Sequence, residues 1–300
     1  MKRLPPDLGA NLIYVGVRAA SALLAVLPVG FSYALAGGLG RLYCTLRPSH
    51  SRWAAYNYAR VLHEAEDSTV AQRMGRESFA NYARVLVDFF RLPYLTPEEV
   101  FGASSILGSE SLAHAQAEGK GVIMVTSHMG SWDRAAAVFV GLGYHTTALV
   151  DTFQPPQLDA WVTRMREKFG LKTIAVERPG ALREMYRVLA RNEALVFLID
   201  RPDPEGVPIT FFGERTGFPA GVAQVAIRTG APIVMGMLYR QPGNRTYTGF
   251  AERIPLPAPS GDRATDVQRL TQVIATRLER EIVTHPAQWF MFRPMWPVGQ

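Results

Sequence analysis

The sequence predicts an α/β fold: a mainly parallel central sheet flanked by helices, preceded by an apolar helical region that associates with a membrane. Three observations lead there. From about residue 105, short apolar runs alternate with amphipathic segments of helical length, the pattern of strands covered on both faces by helices. Polar residues recur just beyond the apolar runs, where open α/β sheets bind ligands. Between Arg18 and Arg41, 22 residues carry no charge, enough to cross or coat a bilayer. The expected division is residues 1–48 as the apolar region and 49–300 as a single α/β domain.

The apolar region is read first. Pro28 interrupts it and is expected to separate two helical halves. A membrane-inserted or interfacial anchor, a buried helical hairpin and a removed signal segment all fit. With an interfacial anchor, Arg41, Arg47, Arg52 and Arg60 would face anionic headgroups. Residues 50–92 carry helical periodicity, with Met74, Phe79, Tyr82, Val85, Leu86 and Phe89 at three- and four-residue steps. Thr96 before Pro97-Glu98-Glu99 reads as a helix start.

Strands are expected at 121–127, 145–151, 172–176, 193–200 and 231–240, with an edge strand at 246–256. Helices are expected at 132–143, 156–170, 179–192, 219–230 and 265–286, several of them stopped by glycine. This arrangement puts His128, Asp151, Glu177 with Arg178, and Asp200 with Arg201 just beyond strand ends, along one edge of one sheet.

Composition narrows the chemistry. Apolar residues make up 48% and charged residues 19%, so disorder is excluded; the usual charged share is about 25%. The net charge of +6 is carried almost wholly by arginine, since only Lys2, Lys120, Lys168 and Lys172 are lysines. Arginine suits bidentate contact with phosphate or carboxylate. The basic residues are scattered and form no nucleic-acid module, so no nucleic-acid partner is expected. One cysteine, Cys44, allows no internal disulfide, and no Cys/His cluster suggests a metal. Neither GxGxxG nor GxxxxGK[ST] is present, and no GxSxG elbow marks a nucleophilic serine.

The stretch "SHMGSWD" holds the sharpest candidate. His128 falls in the turn after a strand. Asp133 falls in the first helical turn, at N2 if Ser131 is the cap and at N3 if Gly130 is. A turn histidine and a first-turn carboxylate can meet, and a neutral histidine steadied by a carboxylate is a general base. If the substrate supplies the hydroxyl, no protein nucleophile is required. The plain alternative is a packed histidine followed by a helix-capping aspartate.

Several blocks, in order, are similar to the bacterial lipid A biosynthesis (lauroyl/myristoyl) acyltransferases and the related phosphatidylinositol mannoside acyltransferases. "SHMGSWD" resembles their H-x4-D/E motif. "RPSHSRWAAYNYARVL", "ERPGALREMYRVLARNEALVFLIDR", "VPITFFGERTGFPAGVAQVAIRTGAPIV" and "HPAQWFMFRPMW" resemble later segments. The resemblance implies acyl transfer to a lipid or glycolipid hydroxyl at the cytoplasmic face of the inner membrane. Its donor would be acyl carrier protein or coenzyme A, with no bound cofactor. It implies His128 as base, Asp133 as its orienting partner, and Arg178, Asp200, Arg201, Phe212, Gly213, Arg215 and Thr216 around the substrate. Three positions depart from the lipid A pattern. Asp133 stands where glutamate is frequent, Ser131 where asparagine is, and Arg201 in place of a glutamine. A thioesterase or lipid hydrolase using the same histidine, or a non-catalytic lipid-binding protein, are the competing readings.

Overall fold

The structure is a computed structural model and describes residues 6–243 and 246–297. Helix α1 spans Pro6–Val26 and α2 spans Val29–Leu46, with Pro28 in extended geometry between them as the proline predicts. Tyr33, Gly37, Gly40 and Cys44 recur on one side of α2, and all are buried. That side lies on α4 (Thr69–Arg91), the second of two helices that follow; α3 spans Pro48–Val61. Gly40 makes the approach possible: a Cβ there would stand 2.5 Å from the carbonyl oxygen of Phe79. Arg41 of α2 meets Glu77 of α4 at 2.8 Å. Tyr33 and, from further along the chain, Tyr247 both donate to the buried Asp88 of α4.

Helix α5 (Pro97–Gly102) begins with a capping box between Thr96 and Glu99, two orphan amides satisfied reciprocally. The alternating region then runs β1 (Ser104–Leu107), α6 (Glu110–Ala117), β2 (Val122–Thr126), α7 (Trp132–Gly141), β3 (Thr146–Val150), α8 (Pro156–Lys168), β4 (Lys172–Ala175), α9 (Ala181–Ala190) and β5 (Ala194–Leu198). A hairpin of β6 (Val207–Phe211) and β7 (Glu214–Phe218) follows, then α10 (Gly221–Thr229), β8 (Ile233–Arg240), β9 (Tyr247–Ile254) and α11 (Arg263–Thr284). Seven strands form one sheet in the order β1-β9-β8-β2-β5-β3-β4. Only the β8–β9 pair is antiparallel.

Both faces are covered, and the pleat divides the apolar runs between them. Ile123 and Val125 of β2 join one core with Leu195 and Phe197 of β5, under α9, α10 and α11. Val122 and Met124 join the other with Ala194 and Val196, under α6, α7 and α8. This is why β2 reads as an unbroken apolar run. Residues 246–256 do not form the sheet edge: β1 pairs with β9 in parallel and takes that place. The hairpin, in a stretch to which the sequence assigns no element, turns on Phe212 (φ 50°) and Gly213 (φ 80°), the two left-handed residues that a tight two-residue hairpin turn needs.

Candidate active site

Strands β2 and β5 are parallel neighbours with Thr126 opposite Leu198. Two residues further along each lie His128 and Asp200, so adjacent strand ends deliver them to one spot. His128 Nδ1 and Asp200 Oδ1 are 2.8 Å apart. The backbone N–H of His128 also donates to the same carboxylate, 3.0 Å from each oxygen. Trp289 Nε1 donates to Oδ2 at 3.0 Å. Asp200 is fully buried, while the His128 side chain is 31% exposed. A buried carboxylate with every acceptor direction engaged holds its partner in one orientation.

Electrostatics follow this geometry. Burial works against the imidazolium of His128, but the Asp200 carboxylate outweighs it and holds the histidine above its usual range; Arg201 and Arg293 push the other way. Burial alone would raise the Asp200 pKa. The facing histidine charge and the hydrogen bonds from His128 and Trp289 keep it below the usual carboxylate range.

Trp289 belongs to a segment, residues 285–297, threaded beside the histidine turn. Gly130 N–H donates to Gln288 O and Phe290 N–H to His128 O, both at 2.9 Å. The segment is pinned from the other side by polar groups of the helical region. Ser78 Oγ donates to Trp289 O at 2.7 Å, and Asn57 Nδ2 to Met291 O at 2.9 Å. His128 lines a cavity of about 580 Å³ with Trp53, Tyr82, Trp132, Phe290 and the arginines 201 and 293. A smaller cleft of about 120 Å³ shares Tyr82 and Trp132 with it and continues past Val85, Leu86 and Phe89.

The remaining expected residues fall into two groups. Arg201 lines the cavity and is paired with Asp151. The others do not line that cavity, although Asp133 and Arg166 line the smaller cleft. Asp133, at N2 of α7 with Ser131 as cap, bonds Arg166 of α8 at 2.8 Å, with both side chains 11% exposed. The expected pairing is therefore corrected: the carboxylate on His128 belongs to Asp200, because a neighbouring strand end lies in register while the first turn of α7 faces α8. Arg178 is exposed in the turn after β4, three strands from β2 in the sheet order and so roughly 14 Å away at ordinary strand spacing. Phe212, Gly213, Arg215 and Thr216 line neither cavity. They form the hairpin, whose Thr216 Oγ1 donates to Met295 O at 2.6 Å, so they support the segment that carries Trp289. Two residues of "HPAQWFMFRPMW" that the sequence reads otherwise reach the site, Trp289 read as packing or a membrane-interface aromatic and Arg293 as a bridge to a headgroup. The segment's density of aromatic residues around one arginine was the available signal.

Comparison with known proteins decides the class. Residues 8–297 match the family described as bacterial lipid A biosynthesis acyltransferase. The chain belongs to that family. It is a membrane-associated acyltransferase acting on lipid substrates. It is 28% identical to a phosphatidylinositol mannoside acyltransferase of Mycolicibacterium smegmatis, over 98% of this chain and 94% of the relative. It is 30% identical to a phosphatidylinositol mannoside acyltransferase of Mycobacterium tuberculosis H37Rv, over 80% of this chain and 75% of that relative. The acyltransferase carries a helix long and apolar enough for a membrane in α1, where the window Gly9–Val26 is only 6% buried.

Proposed function

We propose that the enzyme moves a fatty acyl group from an acyl thioester, carried by acyl carrier protein or coenzyme A, to a hydroxyl of a glycolipid or phospholipid at the cytoplasmic face of the inner membrane. Residues 1–48 serve as its membrane-associating region. The relatives' names favour a glycosylated phosphoinositide as the acceptor class.

One observation carries the mechanism: Asp200 engages Nδ1 of His128, which leaves Nε2 as the proton acceptor on a histidine that lines the cavity. Nε2 takes the proton of the acceptor hydroxyl as its oxygen attacks the thioester carbonyl. Asp200 fixes the tautomer and stabilises the imidazolium. The tetrahedral oxyanion collapses, the carbon–sulfur bond breaks, and the histidine returns its proton to the departing thiolate. Arg293 lines the cavity and makes no ion pair among the described residues, so its charge is available to the oxyanion. The cleft past Val85, Leu86 and Phe89 takes part of the acyl chain. Asp133 supports the site through Arg166.

The test supplies labelled acyl-coenzyme A and acyl carrier protein to membranes holding the full chain, followed by mass spectrometry of the extracted lipids. A new acylated glycolipid that disappears with His128→Ala is the expected result. Release of free fatty acid without any acylated lipid would replace this reading with a hydrolase.

A further inference from the structure

A second basin, about 940 Å³, borders the His128 cavity at Trp53 but does not include the histidine. Its walls come from the end of α2, from α3 and from the start of α4. Four arginines line it: Arg52, Arg60, Arg73 and Arg76. Arg60 is already neutralised, by Glu66 at 3.0 Å and Glu214 at 2.9 Å. Among the described residues, no carboxylate pairs with Arg52, Arg73 or Arg76. The basin therefore concentrates positive charge with no close carboxylate partner, although Arg76 acts on Glu77 from a distance and Arg52 lies 5.0 Å over the Trp53 ring.

The surface leading to it is apolar. Phe31, Leu35, Leu39, Leu42 and Leu46 follow one another along α2 at steps of four, four, three and four residues, and each is 48–67% exposed. The opposite side of α2 is docked on α4 through Gly40. A helix clamped to the body in this way is suited to lie along a membrane surface with its apolar stripe toward the acyl chains. Cys44 and Thr45, at the end of the same helix, line the basin. Arginines at the end of an in-plane helix stand at headgroup level.

We infer that this basin is a binding site for the phosphate of an anionic bilayer lipid, ligated by Arg52, Arg73 and Arg76, separate from the cavity in which acyl transfer is proposed. A lipid accounts for the stripe and the arginines together, whereas an acidic carrier protein accounts for the arginines alone. Held there, the enzyme has its orientation on the leaflet fixed, and the His128 cavity opens across Trp53 beside the headgroups. That last consequence rests on the acyl-transfer reading; the binding site does not.

The test is co-sedimentation of the full chain with vesicles of phosphatidylcholine, alone or mixed with phosphatidylglycerol. The unmodified protein should prefer the mixed vesicles. Each of Arg52→Gln, Arg73→Gln and Arg76→Gln should lower affinity for them about five-fold. The triple variant should fall to the level of phosphatidylcholine, with unchanged circular dichroism and melting. The triple Arg→Lys variant should keep most of the preference. Leu39→Ser with Leu42→Ser should weaken binding to both vesicle types. His128→Ala should keep the full preference, so failure of the catalytic reading leaves this result intact. Three outcomes overturn the proposal. One is an undiminished preference in the triple Gln variant. The second is an equal loss on Arg183→Gln with Arg228→Gln, exposed arginines on α9 and α10, which would make the effect one of net charge. The third is an undiminished vesicle preference together with a raised KM for acyl-coenzyme A in detergent, which would make the basin a donor site.

Discussion

Asp200 holds His128 at two points, the ring Nδ1 at 2.8 Å and the backbone N–H at 3.0 Å. The carboxylate thus fixes both the rotation of the imidazole and the turn that carries it. Trp289 occupies the remaining side of the carboxylate. Changing Asp200 affects the charge balance and the shape of the turn at once.

The first prediction concerns pH. The base must be neutral, and His128 is held above its usual range by Asp200. Activity should therefore rise with pH through an apparent pKa above about 6.5, the ordinary histidine value. In Asp200→Asn the burial of the ring and the charges of Arg201 and Arg293 act unopposed. The limb should move to lower pH, while kcat falls by a factor of about 10²–10⁴. A pH–rate profile of both proteins checks this. Stability carries the same signs. The His128 contribution is complete below its unfolded pKa and is lost as pH rises through the raised folded pKa. The Asp200 contribution is complete above its unfolded pKa and is lost as pH falls through the depressed folded pKa.

The second prediction separates the two aspartates. Asp133→Asn removes the partner of Arg166 and leaves a largely buried charge uncompensated, at a cost of about 3 kcal/mol. Melting temperature should drop, and activity with it. The pH limb of activity should stay where it is in the unmodified enzyme. A shift of that limb matching Asp200→Asn would assign the orienting role to Asp133 instead.

The third prediction tests how α2 is mounted. At Gly40 a Cβ would meet the Phe79 carbonyl at 2.5 Å, whereas at Gly38 nothing lies within 4 Å. Gly40→Ala should therefore destabilise by about 1–3 kcal/mol. Gly38→Ala should stabilise by about 0.5–1 kcal/mol, because it only removes glycine's conformational freedom within a helix. Opposite shifts in thermal melting are the expected result. Equal shifts would mean that α2 does not rest on α4 in this way.

The sheet was legible because buried parallel strands leave long apolar runs, and β2, β5 and β8 are buried over nearly their whole length. Strand β1 was not, since four residues reading Ser-Ser-Ile-Leu, half-buried at alternate positions and exposed at the others, carry too little apolar signal. The hairpin was hidden by Pro208 within its first strand and by its turn of Phe212 and Gly213. At the site, both His128 and Asp200 could be placed beyond strand ends. What the sequence could not show is that β5 lies beside β2, ahead of the strands β3 and β4 that precede it in the chain. Asp133 was favoured by nearness along the chain, while the partner came from nearness across the sheet. Trp289 lies farther still from His128 in sequence, and nothing local to it points to a carboxylate.

The threading of residues 285–297 through the site also sets a timetable. Every group that surrounds the Asp200 carboxylate except one is translated early, with β2 and β5. The indole of Trp289 and the strand-like pairing of Gly130 with Gln288 arrive only after α10, β8, β9 and α11 have been made. Closing the site joins residues far apart in the chain, and such long-range contacts form slowly. The site of an enzyme that acts on membrane lipids is thus completed only by residues made well after its apolar helices α1 and α2.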